Sequence, residues 1–379
     1  MTHLTSPGLP RSLAPLHEES LVGFLLRLAH RLERSPWRVA DLCGLGSRRT
    51  SIGYGYLRDL PDEVAVRFSH AARLSSQEVD ALTMRRFASS YPLLQRVRTD
   101  AAVTGRRALV NWAMNPSSRF CPACLRGDGS PVQAAFGGAW KTRWHLPVVF
   151  ACPQHHSLLR SVCPSCSNPV NTKGSGGIGL IKRPRLAGLH PLQCRHILVA
   201  DQIRKRTFRA EAACGARLDE NPDRDSALGS EDLDRLLALQ QRLDQLLTAT
   251  DQPVGDCQPA DPSFFPDPVM ATHLIKLSWP AGASLLPSAA LTALVDEHCA
   301  PITELATTQR GASADSRHIE TRPAPTDSAQ CGALLLAAHN LLGDRDLTSL
   351  HERVQPLARE AYGRHPLCQP WVRRPALSG

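Results

Sequence analysis

Apolar residues at helical spacing dominate the first ninety positions. In SLVGFLLRLAHRLER, residues 20–34, Leu21, Phe24, Leu25, Leu28 and Leu32 recur at helical intervals, with Arg27, Arg31 and Arg34 on other faces. That period predicts an amphipathic helix, and Ser20 ahead of it has the side chain of an N-cap. The next stretch, SPWRVADLCGLG, offers Ser35 as a cap, Pro36 at the first helical position and Gly44 as a stop. Two short helices with a tight connection predict a helix-turn-helix-like unit. LPDEVAVRFSHAARLSSQEVDALTMRRF then reads as a helix pair broken at Leu74-Ser75, with Ser75 and Glu78 at capping-box spacing.

The period fails between 111 and about 217, where Pro and Gly are frequent and NTKGSGGIG reads as a flexible loop. It returns after 230. In SEDLDRLLALQQRLDQLL, Leu233, Leu236, Leu237, Leu243, Leu246 and Leu247 form one stripe behind a Ser230 cap. Residues 251–268 read as a Pro- and Asp-rich connector, 284–298 and 328–342 as helices, and the polar stretch near 307–327 as a linker. The expected organisation is an N-terminal helical domain over 1–110, a metal-binding region over 111–217 and a C-terminal helical region over 228–379. The fold class is mainly α, with small zinc-braced β modules built on central zinc-ribbon-like knuckles.

Composition changes this picture little. With 379 residues, 42% hydrophobic and 21% charged, the chain is ordinary globular material for two or three domains. Its first residues lack a basic stretch followed by an apolar one, and no window nears the roughly 18 apolar residues of a membrane span. The expectation is a cytoplasmic protein, where thiols stay reduced and clustered cysteines more often mean metal than disulfide. A formal net charge of +9 favours polyanionic partners, nucleic acid above all, although a GC-rich coding sequence accounts for the arginines equally well. From Lys182 to Arg209 there are eight Lys or Arg against one acid, Asp201. Arg204, Lys205, Arg206 and Arg209 in that run are candidate phosphate contacts; Arg48, Arg49 and Arg58 form a second candidate patch. Each is equally readable as a solvated basic loop.

The chemistry sits in the aperiodic middle, which holds seven of the twelve cysteines. Cys121-x2-Cys124 and Cys152-x2-His155 are two knuckles, each opened by Cys-Pro. Zinc takes four N or S donors in a tetrahedron, and a C-x2-C turn presents two thiolates at once. Cys121, Cys124, Cys152 and His155 therefore make one predicted site, and the apolar, aromatic stretch GAWKTRWHLPVVF between the knuckles is expected to form short strands. Cys163-x2-Cys166 opens a second site. Its other half is expected from Cys194 and Cys214, a knuckle split by an insertion, with His196 competing for the fourth place and a metal-free remnant as the alternative. Two zinc ions per chain follow if both sites close. Such thiolate-rich four-donor shells are structural. No H-E-x-x-H, no deaminase H-x-E with P-C-x-x-C and no phosphate-gripping G-x-x-x-x-G-K-[ST] is present, so no enzymatic role is expected.

Three features together resemble the TniQ family of transposition proteins, which includes the TnsD-type members. They are LPRSLAPLHEESLVGFLLRLAHR with its Glu-Ser-Leu start and Arg27-Leu28-Ala29 centre, RFCPACL followed by WKTRWHLPVVFACPQHHSLL, and the immediate CPSC. The likeness covers residues 9–167 and, more weakly, the cysteines up to 215; the split second knuckle departs from the pattern. The resemblance implies a non-enzymatic adaptor that links target DNA recognition to a TnsC-type AAA+ ATPase, which recruits the transposase. Some members bind DNA themselves and others dock on an RNA-guided targeting complex. It also implies that the N-terminal helical unit and its Pro-rich lead contact the ATPase or the DNA. The alternative from the residues alone is a zinc-braced DNA-binding transcription regulator, with residues 20–58 reading a major groove.

Overall fold

The N-terminal period is realised as helices. In the computed structural model, which describes residues 8–10, 12–46, 52–97, 112–115, 117–171, 187–198, 212–220, 228–248, 265–308, 324–343 and 346–364, α1 spans Leu21–Arg31 and α2 spans Pro36–Leu42. Ser20 Oγ accepts from Gly23 N at 3.2 Å and Ser35 Oγ from Arg38 N at 3.3 Å, so both predicted caps satisfy first-turn amides. Gly44 takes φ 74° after α2, a left-handed stop that a side chain would strain. Helices α3 (Asp62–Ala72) and α4 (Ser76–Ala81) follow, and Ser75 with Glu78 closes a reciprocal capping box. Leu21, Leu25 and Leu28 of α1 are fully buried, each worth roughly 1.5–3 kcal/mol against exposure.

Contacts divide the chain into two compact units: Met1–Ser89 with Leu93–Val149 and Leu159–Arg224, and Ser90–Pro92 with Phe150–Leu158 and Asp225–Gly379. In the first, the lead into α1 latches onto the stretch around Trp140. Ser20 N donates to Trp140 O at 2.7 Å and Thr142 N to Glu18 O at 2.8 Å. A Cβ on Gly23 would lie 2.8 Å from Trp140 Cβ, so this close approach requires glycine. Glu19 and Arg27, both 1% exposed, pair bidentately, Arg27 Nε to Oε1 and Nη2 to Oε2 at 2.6 Å. Burial pushes the Glu19 carboxyl up, against the guanidinium that pulls it down. Arg27 Nη2 also donates to Ala14 O at 2.9 Å, which ties down the Pro-rich lead.

Among the described residues the aperiodic middle is not strand-rich. Short helix α5 (Pro122–Arg126) carries the first knuckle, α6 (Pro131–Phe136) follows it, and residues 142–145 form a 3-10 turn where strands were expected. Trp140 and Trp144 meet edge to face, and Trp140 Nε1 donates to Pro191 O at 3.2 Å. Among the described residues, two antiparallel pairs of two-residue strands form: β1 (Ala151–Cys152) with β2 (Ser157–Leu158), and β3 (Ile197–Leu198) with β4 (Ala212–Ala213).

The second unit is helical. α7 (Ser230–Thr248) takes its first capping carbonyl from Gly229, so Ser230 is the first helical residue rather than the cap. α8 runs Pro266–Ser278, beginning inside the expected connector, α9 runs Ala289–Thr308, α10 Ser328–Leu342 and α11 Leu347–Arg364. α10 is buried almost all round, as its apolar sequence demands, and α8, α9 and α11 pack on it. The expected linker near 307–327 lies mostly outside the described residues. No described helix is long and apolar enough to cross a membrane. The protein is thus mainly α, with two small β hairpins beside its cysteines.

Candidate metal centres

Local backbone explains how each knuckle presents its donors. Cys121 caps α5, with Pro122 fixing φ at the first helical position and Leu125 N closing on Cys121 O at 3.0 Å. Cys124 therefore comes round one turn later on the same side. Cys152 ends β1, residues 153–155 make a 3-10 turn, and His156 at φ 46° reverses the chain into β2. Cys163 opens a third turn: Ser167 N donates to Cys163 O and Cys163 N to Asn168 O, both at 2.9 Å.

The split knuckle is joined by a ladder. Ile197 lies opposite Ala213, which carries Cys194 and Cys214 to one end of the β3–β4 pair. Cys214 N donates to His196 O at 2.8 Å, Gly215 N to Cys194 O at 3.0 Å and Cys194 N to Ala216 O at 2.9 Å. The turn that a contiguous C-x2-C would make is thus assembled from two chain segments. His196 contributes its carbonyl, and Cys214 stands at the fourth corner.

Two clusters result: Cys121, Cys124, Cys152 and His155, and Cys163, Cys166, Cys194 and Cys214, each with its donor atoms within 4.8 Å of one another. The described cysteines are free thiols. The spacing suits an ion. Metal–sulfur bonds of about 2.3 Å in a tetrahedron give sulfur–sulfur edges of about 3.8 Å. Cys163 and Cys214 are 3.9 Å apart and Cys166 and Cys194 3.7 Å. Cys152 Sγ and His155 Nδ1 are 3.4 Å apart, against about 3.6 Å for a mixed sulfur–nitrogen edge. Both clusters can hold a metal ion. With all four corners filled by protein, neither leaves a position for a reacting water.

Burial pushes the Cys163 and Cys194 thiols up. At Cys214 burial acts the same way, but hydrogen bonds from Ala216, Cys166, Ser165 and Cys163 outweigh it and hold that thiol below its usual value. Metal ligation needs thiolates, so loading releases protons.

Of the predicted nucleic-acid contacts, Arg48, Arg49, Arg204, Lys205, Arg206 and Arg209 lie outside the described residues. Arg58 is half-buried and gives Nη1 to Val97 O at 2.7 Å. Arg195, in the basic run, gives Nη2 to Leu189 O at 2.9 Å and His190 O at 3.3 Å, and burial pushes its pKa down to about 10. Sequence reasoning missed the buried polar residues behind the knuckles. Arg119, 1% exposed, gives Nη1 to Pro147 O and Val149 O at 2.8 Å. Gln240 does similar work on the Cys152 hairpin. Arg119 sits inside the motif RFCPACL, so its position was visible; Gln240, within a leucine stripe, gave no signal beyond being polar there.

The class these features define is a helical protein whose irregular middle is arranged around two closed Cys/His clusters. The family model TniQ matches residues 10–159, less than half of the chain, and identifies that stretch as a TniQ domain. The match takes in the first cluster and stops before the second. No curated protein and no solved structure matches the chain.

Proposed function

We propose that this protein is a transposition accessory factor without chemistry of its own, which links target DNA to a TnsC-type AAA+ ATPase and so recruits transposase. The observation that carries the reading is the TniQ match over residues 10–159, which spans both the α1 latch and the first cluster. The donor sets support a structural role for the metal, and zinc is the ion that tetrahedral thiolate and imidazole shells favour. Cys121, Cys124, Cys152 and His155 hold one zinc; Cys163, Cys166, Cys194 and Cys214 hold the other. Target DNA is engaged through phosphates by Arg48, Arg49, Arg58, Arg204, Lys205, Arg206 and Arg209, with the net charge of +9 behind them.

Pull-down with the ATPase in the presence of duplex DNA tests the adaptor role: retention of the ATPase that requires this protein is expected. Duplex affinity should fall steeply with salt, because each neutralised phosphate releases counterions, and reversing Arg204, Lys205 and Arg206 to Glu should weaken binding on all sequences alike. Affinity that stays flat across salt, or a reversed variant that binds as the parent does, removes the DNA-contact assignment. A sequence-selective footprint without any partner would favour a transcription regulator instead.

A further inference from the structure

Helix α7 of the second unit holds the hairpin that carries Cys152 and His155. That hairpin is small, with two residues in each strand. An isolated two-stranded ribbon of that size has little rigidity of its own. Its support comes from Gln240, which lies in the middle of α7 with no exposed surface. Gln240 Oε1 accepts from Phe150 N at 2.7 Å and from Ala151 N at 3.0 Å, the two amides immediately before Cys152. Its Nε2 donates to Asp244 Oδ1 at 2.9 Å, one helical turn on, which fixes the end of the amide that faces the hairpin. The Phe150 ring is seated at the same place: a Cβ on Gly332 of α10 would lie 2.8 Å from Phe150 Cδ2 and 3.3 Å from Leu236 Cδ2.

A buried glutamine in a leucine-lined helix costs free energy unless each of its polar atoms is answered. Here all of its hydrogen bonding is spent on the entry to one knuckle and on the acid that orients it. We propose that Gln240 is a positioning residue for the metal site of Cys121, Cys124, Cys152 and His155. It holds the Phe150 and Ala151 amides, and thereby sets the direction from which Cys152 and His155 enter the donor set. α7 is thus part of that site's frame, although it supplies no ligand. This rests on the reading of the cluster as a metal site.

The test uses the full-length protein and zinc itself, titrated against a chromophoric chelator. Cobalt(II) in parallel distinguishes the three-thiolate, one-imidazole set from the four-thiolate set by its absorption bands. Gln240→Met removes the oxygen that accepts from both amides and the amide donor to Asp244, and keeps the volume. Gln240→Glu keeps an oxygen for the two amides and, protonated beside Asp244, retains a donor towards it. The expected result is that Q240M weakens the mixed site about 10–100-fold, the range typical for groups that orient ligands. The four-thiolate site should keep its affinity, and Q240E should recover most of the loss. Wild-type affinity in Q240M, equal weakening of both sites, or a Q240E no better than Q240M overturns the proposal. If the wild-type protein takes no ion at the mixed site, the metal reading fails before any variant is made, and the proposal falls with it.

Discussion

The two clusters differ in how their corners are brought together. In the first, each donor pair lies within four consecutive residues, and short turns at 121–124 and 152–155 bring the two members of each pair together. In the second, only Cys163 and Cys166 share a turn; Cys194 and Cys214 are twenty positions apart and meet through the β3–β4 ladder. Yet the sulfur spacings of the second, 3.7 and 3.9 Å, are those of a tetrahedral thiolate shell. A knuckle is therefore defined by its backbone geometry, and that geometry survives an insertion when antiparallel pairing replaces the missing turn. The first cluster lies inside the TniQ match and the second beyond it.

Removing one corner at a time separates the two clusters. Cys124→Ser should empty the first site and leave the second filled; Cys194→Ser should do the reverse. Structural zinc contributes on the order of 10 kcal/mol to the fold around it, so each variant should show the largest stability losses of any point change. Metal analysis and thermal melting check this, and a single substitution that empties both sites would mean that they are not independent. Next in size, Arg27→Ala leaves the Glu19 carboxylate buried without its partner and should cost about 3–5 kcal/mol while the metal count stays at two. Denaturant titration with metal analysis separates that loss from one caused by the clusters.

Smaller again is an acid effect that belongs to neither cluster. His145 is fully buried, and burial pushes its pKa down to about 4, with the Asn115 backbone opposing. The folded state therefore binds fewer protons than the unfolded one between the usual histidine value and about 4. Its contribution is fully present above pH ~6.5 and is lost as pH falls to about 4, about 3 kcal/mol in all. His145→Leu should remove its share of the acid-side loss measured by urea titration, leaving the loss due to acid release of metal and that of His273, whose burial likewise pushes its pKa down to about 4.

Where local chemistry decides structure, the sequence was readable. Ser20, Ser35 and the Ser75–Glu78 box start helices as their spacing predicts, and the stripe in α7 faces inward at Leu236, Leu237, Leu243 and Leu247. Cys121, Cys124, Cys152 and His155 are close enough in sequence for spacing alone to pair them. What was illegible depends on distant partners. The Trp140–Trp144 stretch forms turns because Gly23 admits Trp140 against α1 and Pro191 receives its indole N–H. Glu19 and Arg27 both lie in the motif that opens α1, but nothing in that motif says that they pair. Gln240 breaks a hydrophobic stripe for the sake of amides about ninety positions away. Ser230 lost its capping role to Gly229 by one residue, the ordinary uncertainty of a helix end.

X-ray absorption at the zinc edge of purified, tag-free protein, combined with metal counting, reads both donor shells at once. Two zinc per chain, with an average of about 3.5 sulfur neighbours near 2.3 Å and about 0.5 nitrogen near 2.0–2.1 Å, is the result expected from one three-thiolate, one-imidazole site and one four-thiolate site. One zinc per chain, or a shell with a water oxygen in place of a cysteine sulfur, would contradict it.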